Sequence, residues 1–226
     1  MAEREQVLLE HAFVLHQRPY RDSSQLLECM TAGHGRMGLV ARGSRRAGKG
    51  QRGDLGRLTH VEADGPSHAL EGQRLLAGFY VNELLLRLTA RGDPNPDAFF
   101  CYSRCLAQLG GAPSVARTLR EFELELLRAL GYGLGLDGDS ATGEPLSADS
   151  IYVYELELGL RRAERTDSDE DQYPGRDLLA LRDLKLDDDA SLRTAQRLLG
   201  RALKAHLGDR PLKSRLVLQD IVSRGL

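Results

Sequence analysis

The chain has 226 residues, of which 41% are hydrophobic and 28% are charged, and its formal net charge is −2. This length is enough for one large domain or two small ones with a buried core. No window approaches about 18 uninterrupted apolar residues, and the charged N-terminus has no apolar signal core, so we expect a cytoplasmic protein without a membrane segment.

Residues 1–70 have the pattern of short β-strands. Apolar runs at residues 11–16, 25–31 and 36–42 are separated by turns that contain Gly or Pro, and residues 55–62 can supply one more strand. Closely spaced runs with glycine turns predict an antiparallel meander. We therefore expect a single small barrel or sandwich in this part of the chain.

Residues 36–57 concentrate positive charge in a protein that is slightly acidic overall. Seven basic residues there face only Asp54, a local balance of +6, so the rest of the chain carries about −8. The basic residues are Arg36, Arg42, Arg45, Arg46, Lys49, Arg52 and Arg57. A Gly-rich basic segment can follow a phosphate backbone and gain affinity by counterion release. The alternative is a solvated loop that has no ligand.

From about residue 71 the apolar residues recur at helical spacing. The pattern predicts helices within residues 75–88, 99–109 and 119–130, each followed by glycine. Further helices are expected around residues 176–185, 190–207 and 211–223. Period-two alternation near residues 151–158 predicts a short β-hairpin. The chain thus divides into residues 1–70, rich in strands, and residues 71–226, mostly helical.

Two glycine-rich motifs resemble nucleotide-binding sequences but lack the required context. Residues 33–38 match G-x-G-x-x-G, yet a strand pattern follows them where a dinucleotide site needs a helix. Residues 43–50 fall one residue short of a P-loop, because Gly50 stands where Ser or Thr is required. A hairpin turn and a basic loop explain the two motifs better.

The three cysteines, Cys29, Cys101 and Cys105, have neither chelating spacing nor a nearby His cluster. They are interpreted as small core residues, and we expect no metal and no cofactor. The six histidines are scattered, and no acid–base pair or nucleophile motif stands out. We therefore expect no enzymatic activity.

Six motifs, in order and spread over nearly the whole chain, resemble the bacterial RecO family of recombination mediators. They are AFVLHQRPY at residues 12–20, VARG at 40–43, LAGFYVNELL at 76–85, LREFE at 119–123, LGYG at 130–133 and LGDRPLKSR at 207–215. Each motif is weak alone, but together they are specific. The resemblance implies an α+β protein in which an N-terminal OB-fold β-barrel is followed by a mostly helical domain.

The resemblance also implies a function and partners. Proteins of this family bind single- and double-stranded DNA, anneal complementary strands, and help to load RecA onto DNA coated by the single-stranded-DNA-binding protein. They act with RecR and grip the acidic, hydrophobic C-terminal tail of the single-stranded-DNA-binding protein. A cytoplasmic, nucleoid-associated location follows.

The DNA-binding residues expected from these arguments are Arg18, Tyr20, Arg36, Arg42, Arg45, Arg46, Lys49 and Arg52. Tyr20 between two arginines can stack a base, which contributes roughly 1–3 kcal/mol per base, or can simply pack at the barrel rim. By resemblance, Arg120 receives the terminal carboxylate of the tail, with Leu124 and Leu127 on the same helical edge. The alternative for Arg120 is an ordinary surface pair with Glu123.

Two departures from the family pattern matter. Some relatives carry a four-cysteine zinc module after the LGYG turn, whereas this chain has no cysteine beyond Cys105. The family also has a longer connection, including a barrel strand, where residues 48–56 stand here. A barrel that lacked a strand would expose an unpaired strand edge. We therefore favour the interpretation that the sequence as given omits a mobile stretch here over a true deletion. The rival functions are a protein scaffold whose basic loop binds an acidic partner, and a nucleotide-dependent enzyme.

Overall fold

A computed structural model of the chain describes residues 10–21, 24–42, 56–58 and 69–214, with the backbone alone at residues 42, 56, 57 and 170. Four strands of one sheet come first, followed by five helices and a second, three-stranded sheet. The expected α+β class is confirmed. Closure of the first sheet into a barrel stays a prediction.

The first sheet has the strand order β1-β2-β3-β4. Its strands are β1 (Ala12–Tyr20), β2 (Ser24–Thr31), β3 (Gly35–Arg42) and β4 (Gly56–Leu58). β1, β2 and β3 form the expected antiparallel meander, whereas β4 pairs parallel to β3. β1 extends past its apolar run through Pro19, which is compatible with a strand because β1 lies at an edge of the described sheet.

The turn between β2 and β3 is a tight hairpin at residues 32–34, as the Gly-His-Gly sequence predicts. Gly35 has φ of +66°, and a Cβ atom at this position would lie 2.0 Å from the carbonyl oxygen of Asp93. Glycine is therefore needed both for the backbone conformation and for the close approach of the connection that follows the first helix.

Three helices follow, and the side chains before two of them explain where they begin. They are α1 (Gly72–Leu88), α2 (Pro96–Gly111) and α3 (Val115–Ala129). The Asn95 side chain accepts a hydrogen bond from Ala98 N at 2.9 Å, and Ser114 accepts one from Arg117 N at 3.2 Å. These are N-cap contacts, which satisfy backbone donors that have no partner within the helix.

The second sheet is small and has the order β6-β5-β7. Its strands are β5 (Ile151–Glu155), β6 (Gly159–Arg162) and β7 (Gln172–Pro174). The hairpin expected near residues 151–158 is present, but residues 156–158 form its turn and the second strand comes after them. Two helices, α4 (Gly175–Arg182) and α5 (Asp189–Leu207), complete the described elements. The helix expected at residues 211–223 lies outside the described residues beyond Ser214.

One hydrophobic core joins the first sheet to the helices. Leu15 of β1 and Met30 of β2 belong to the same buried cluster as Val81, Leu84 and Leu85 of α1. A β-bulge interrupts the pairing between Val14 and His16, and the carbonyl of Leu15 accepts a hydrogen bond from the Asn82 side chain at 3.1 Å. The bulge is thus stabilised by α1.

Candidate nucleic-acid interface

Three of the expected DNA-binding residues lie at one end of the first sheet. Tyr20 on β1 is opposite Ser24 on β2, and Ser24 is opposite Arg42 on β3. Arg18 is two residues back along β1, and it is exposed. Antiparallel register therefore brings Arg18, Tyr20 and Arg42 to the same end of the sheet, and the basic segment continues from Arg42.

Tyr20 is half-buried, and the guanidinium of Arg21 lies 5.5 Å from the centre of its ring. This is a cation–π contact, and Arg21 makes it with a backbone φ of +53°. The expected aromatic platform is therefore already covered on one side by a cation. A nucleic-acid base that stacks here would use the other side or displace Arg21.

Arg36 lies at the opposite end of β3 from Arg42, about 20 Å away at the usual rise of a strand. Its guanidinium is largely buried and lies 3.7 Å from the carboxylate of Glu28, which Arg91 also contacts. Burial lowers the pKa of Arg36; the carboxylate of Glu28 opposes this effect and Arg91 adds to it. Arg36 thus lies in a contact between the sheet and the helices, away from the edge that bears Tyr20.

Arg45, Arg46, Lys49 and Arg52 fall outside the described residues, as does most of the short segment at residues 48–56. The side chain of Arg42 is not described either. DNA binding by these residues stays a prediction from their charge. The structure adds that β3 ends at Arg42, at the same end of the sheet as Tyr20 and Arg18 and separated from them by β2.

Arg120 is buried on α3, where its Nη2 donates a hydrogen bond to Glu123 Oε1 at 2.5 Å. The hydroxyl of Tyr80, on α1, donates to the same oxygen at 2.6 Å. Within the described part of the chain, the Nε of Arg120 has no hydrogen-bond partner. The pair with Glu123 does form, but it is part of a buried network between two helices and not a surface pair.

The apolar edge expected beside Arg120 is not exposed. Leu124 and Leu127 each have 0% of their surface accessible and belong to the core. On an amphipathic helix, the leucine positions that follow an arginine by four and seven residues face the protein interior here, because α3 lies among the other helices. In this conformation, neither leucine offers a surface to a peptide tail.

The three cysteines are free and buried, as expected of core residues. Burial raises the pKa of the Cys29 thiol to about 11 and that of Cys105 to about 12, and it raises the pKa of Cys101 as well. Among the residues that the structure describes, no group of three or more His, Cys, Asp or Glu side chains is arranged to hold a metal ion. Across the same residues, no helix is both long and apolar enough to cross a bilayer.

The loop that follows α3 is stabilised by a buried carboxylate. Asp139 is 3% exposed and accepts hydrogen bonds from the backbone N–H groups of Ala141, Thr142 and Arg162 at 2.8, 3.3 and 3.1 Å. Burial acts to raise its pKa, but these three donors together hold it below the ordinary value for Asp. The loop is thereby fastened to β6 by hydrogen bonds.

Comparison with known proteins agrees with this architecture. Residues 6–68 match the profile described as Recombination protein O N terminal, and residues 70–216 match Recombination protein O C terminal. The chain belongs to the RecO family.

Its relatives include the DNA repair protein RecO of Methylococcus capsulatus, with 40% identity over 92% of this chain and 92% of the relative. The protein of that name from Nitrosococcus oceani is 42% identical over 95% of this chain and 94% of the relative. The protein of that name from Coxiella burnetii is 40% identical over 94% of this chain and 98% of the relative.

Sequence reasoning missed Glu28 and Arg91, which join the sheet to the helices. Neither stands in a recognisable motif, because they are 63 residues apart and meet only in the folded chain. The signal that was available is the glutamate that interrupts the buried apolar run at residues 26–30 of β2, a position at which a charge needs a partner.

Proposed function

We propose that this protein acts in DNA repair and recombination by binding DNA through the edge of its first sheet and the basic segment at residues 36–57. The observation that carries the proposal is the local charge of +6 in a chain of net charge −2. Membership of the RecO family supports it, since the relatives are named DNA repair proteins.

The mechanism follows from polyelectrolyte physics. Arginine and lysine side chains that approach a phosphate backbone release condensed counterions, which gives affinity without sequence preference and with strong salt dependence. Arg18 and Tyr20 lie at the same end of the sheet as the end of β3, one strand away, so bases can stack near the phosphate contacts. Because the chain has only 5% aromatic residues and no Trp, charge dominates. Annealing of complementary strands follows if the protein reduces the repulsion between two backbones.

The family resemblance extends the proposal to protein partners. RecR and the tail of the single-stranded-DNA-binding protein bind the protein, and the assembly helps to load RecA, in the cytoplasm on the nucleoid. Arg120 is the proposed receptor for the tail's carboxylate, because a guanidinium grips a carboxylate bidentately. Since Arg120 is buried against Glu123, the site has to open before a tail can enter.

A salt titration tests DNA binding. Replacement of Arg45, Arg46 and Lys49 together by Ala removes three cations from the basic segment. The slope of log K against log salt for a labelled oligonucleotide, measured by anisotropy, is expected to fall by about 0.7 per lost contact for a single strand and about 0.9 for a duplex. The matched control replaces Arg128, Arg165 and Lys185, three exposed cations of the helical domain, and is expected to leave the slope unchanged.

If the triple variant keeps the wild-type slope, the basic segment does not contact DNA and the proposal is wrong about the site. If the wild-type protein fails to bind a plain oligonucleotide, the rival function of a scaffold for an acidic partner is favoured instead. Peptide titrations with Arg120→Lys test the tail site separately, because lysine keeps the charge but lacks the planar fork. Unchanged peptide affinity would place the tail elsewhere.

A further inference from the structure

All the arginine and lysine residues of α5 lie on one side of that helix. They are Arg193, Arg197, Arg201 and Lys204, and we refer to them as the α5 stripe. Their spacings of four, four and three residues place them within an arc of about 80° at 100° per residue. The only acidic residue of the helix is Asp189, in its first turn, where it stabilises the helix dipole.

The α5 stripe faces solvent. All four of its residues are exposed, whereas the buried residues of the helix occupy the other side. Those buried residues are Ser191, Thr194, Ala195, Leu198, Leu199, Ala202 and Leu203. Packing against α3 and α4 therefore orients the helix, and the charges are held outward by a rigid element and not by a loop.

The charges of the α5 stripe are only partly neutralised. Arg201 forms an ion pair with Asp171, and Arg197 donates a hydrogen bond to Gln172 O at 2.5 Å while its guanidinium lies 4.8 Å from the centre of the Tyr173 ring. Within the described part of the chain, Arg193 and Lys204 form no ion pair. Other arginines among the described helices are paired with a carboxylate, as Arg104 is with Glu125 and Arg117 with Glu121.

The surrounding sequence makes this concentration of positive charge unusual. Residues 137–189 contain sixteen acidic and six basic residues, and the α5 stripe comes directly after them. A helix face that only contacts solvent would be expected to carry both acidic and basic residues here, since oppositely charged pairs at positions i and i+4 stabilise a helix. The α5 stripe instead places four cations at successive turns, of which Arg193 and Lys204 form no ion pair with a described residue, and this favours a role in binding.

The dimensions suit one nucleic-acid strand. From Arg193 to Lys204 the helix rises about 16 Å, with neighbouring charges about 4.5–6 Å apart along the axis. One strand of a duplex presents a phosphate every 3.4 Å or so along its axis, so the α5 stripe spans roughly five phosphates. A line of cations on a rigid helix matches a line of phosphates better than it matches a compact anion.

We propose that the α5 stripe is a second binding site for a nucleic-acid backbone, on the helical domain and separate from the basic segment at residues 36–57. It goes beyond the proposed function because that function needs one DNA surface, whereas this gives the protein two. Two surfaces allow one molecule to hold two strands at once. Their mutual repulsion is then offset by protein charge while the bases pair.

The test reverses the two unpaired charges in Arg193→Glu/Lys204→Glu. Its matched control is Arg165→Glu/Lys185→Glu, which changes net charge equally at exposed positions of the same domain. The protein is bound to an immobilised oligo-dT at about 0.1 M salt, and capture of a second, labelled oligo-dT is measured. The stripe variant is expected to bind the first strand within about threefold of wild type and to capture the second at least about tenfold less well, while the control behaves as wild type.

A second measurement does not depend on the oligomeric state. The Arg45→Ala/Arg46→Ala/Lys49→Ala variant is expected to retain weak binding to oligo-dT, and the added stripe substitutions are expected to abolish it. Wild-type capture of the second strand by the stripe variant, or residual binding that the added substitutions leave unchanged, would overturn the proposal. An acidic protein partner would then be the better candidate for the stripe.

The two proposals fail in different ways. If the basic segment does not bind DNA, the variant at Arg45, Arg46 and Lys49 keeps the wild-type slope of log K against log salt. If the α5 stripe does not bind DNA, the stripe and control variants capture the second oligo-dT equally well, whether or not the basic segment binds DNA.

Discussion

Arg91 donates two hydrogen bonds to the carboxylate of Glu28, from its Nε to Oε2 at 3.1 Å and from Nη2 to Oε1. Glu28 belongs to β2, and Arg91 follows α1, so the contact joins the sheet to the helical part of the chain. The backbone reinforces it, since Gly92 N donates to Arg36 O at 2.9 Å and Arg36 forms a β-bridge with Arg91. Side-chain and backbone contacts together thus hold this end of β3 against the connection that follows α1.

Arg91→Ala is expected to lower the free energy of unfolding by about 1–3 kcal/mol, because it removes charge-assisted hydrogen bonds from a buried carboxylate. Urea unfolding measures the change. The control is Arg104→Ala, which breaks a pair with Glu125 in which the arginine is more than half exposed, and it is expected to cost about 0–1 kcal/mol. Equal costs for the two variants would mean that the contact with Glu28 does not stabilise the interface.

Gly35→Ala is expected to destabilise the protein more than Gly131→Ala. Both glycines have positive φ, +66° and +82°, so each substitution carries a conformational cost of roughly 1–2 kcal/mol. The Cβ of residue 35 would also overlap the carbonyl oxygen of Asp93, whereas nothing lies within 4 Å at residue 131. Thermal unfolding compares the two variants. Equal melting temperatures would show that the backbone near Asp93 moves away from the added methyl group at no cost in stability.

Asp139→Asn is expected to cost about 1–3 kcal/mol, because a neutral amide accepts weaker hydrogen bonds than the carboxylate. The pKa of Asp139 is held below its unfolded value of about 3.9, so the carboxylate contributes stability above that pH. This contribution is lost as the pH falls through the lower pKa of the folded state. Unfolding of both proteins is measured between about pH 7 and pH 2. A difference that persists unchanged at the acidic end would contradict the assignment.

Arg120→Ala is expected to destabilise the protein by about 3–5 kcal/mol, because it breaks one side of a buried ion pair and removes the Arg120 guanidinium from the Glu123 carboxylate. Arg120→Met/Glu123→Leu, which replaces both charges by apolar groups, is expected to cost less than the single change. Denaturant unfolding of the single and double variants forms the test. A single variant with wild-type stability would show that the pair is readily solvated, and would favour a tail site that opens easily.

Local chemistry in the sequence determined where most elements begin and end. Asn95 and Ser114 start helices because their side chains accept the first unpaired N–H groups, and the Gly-His-Gly run forces a hairpin between β2 and β3. The hydrophobic period distinguished strands from helices on either side of residue 70. Beyond these local signals, six ordered motifs indicated the family, and the matching profiles bear that out.

What each charged side chain does was decided by tertiary structure. Arg36 and Arg42 belong to one basic stretch of sequence, yet strand geometry sends them to opposite ends of β3, where Arg36 meets Glu28 and Arg91. Arg120 has the spacing of a surface pair with Glu123, but the packing of α1 against α3 buries both. Burial and ion pairing depend on residues that are distant in the chain, whereas caps, turns and periodicity depend on neighbours. The sequence therefore determined the elements and the family, and only the fold separated charges held in the interior from those facing solvent.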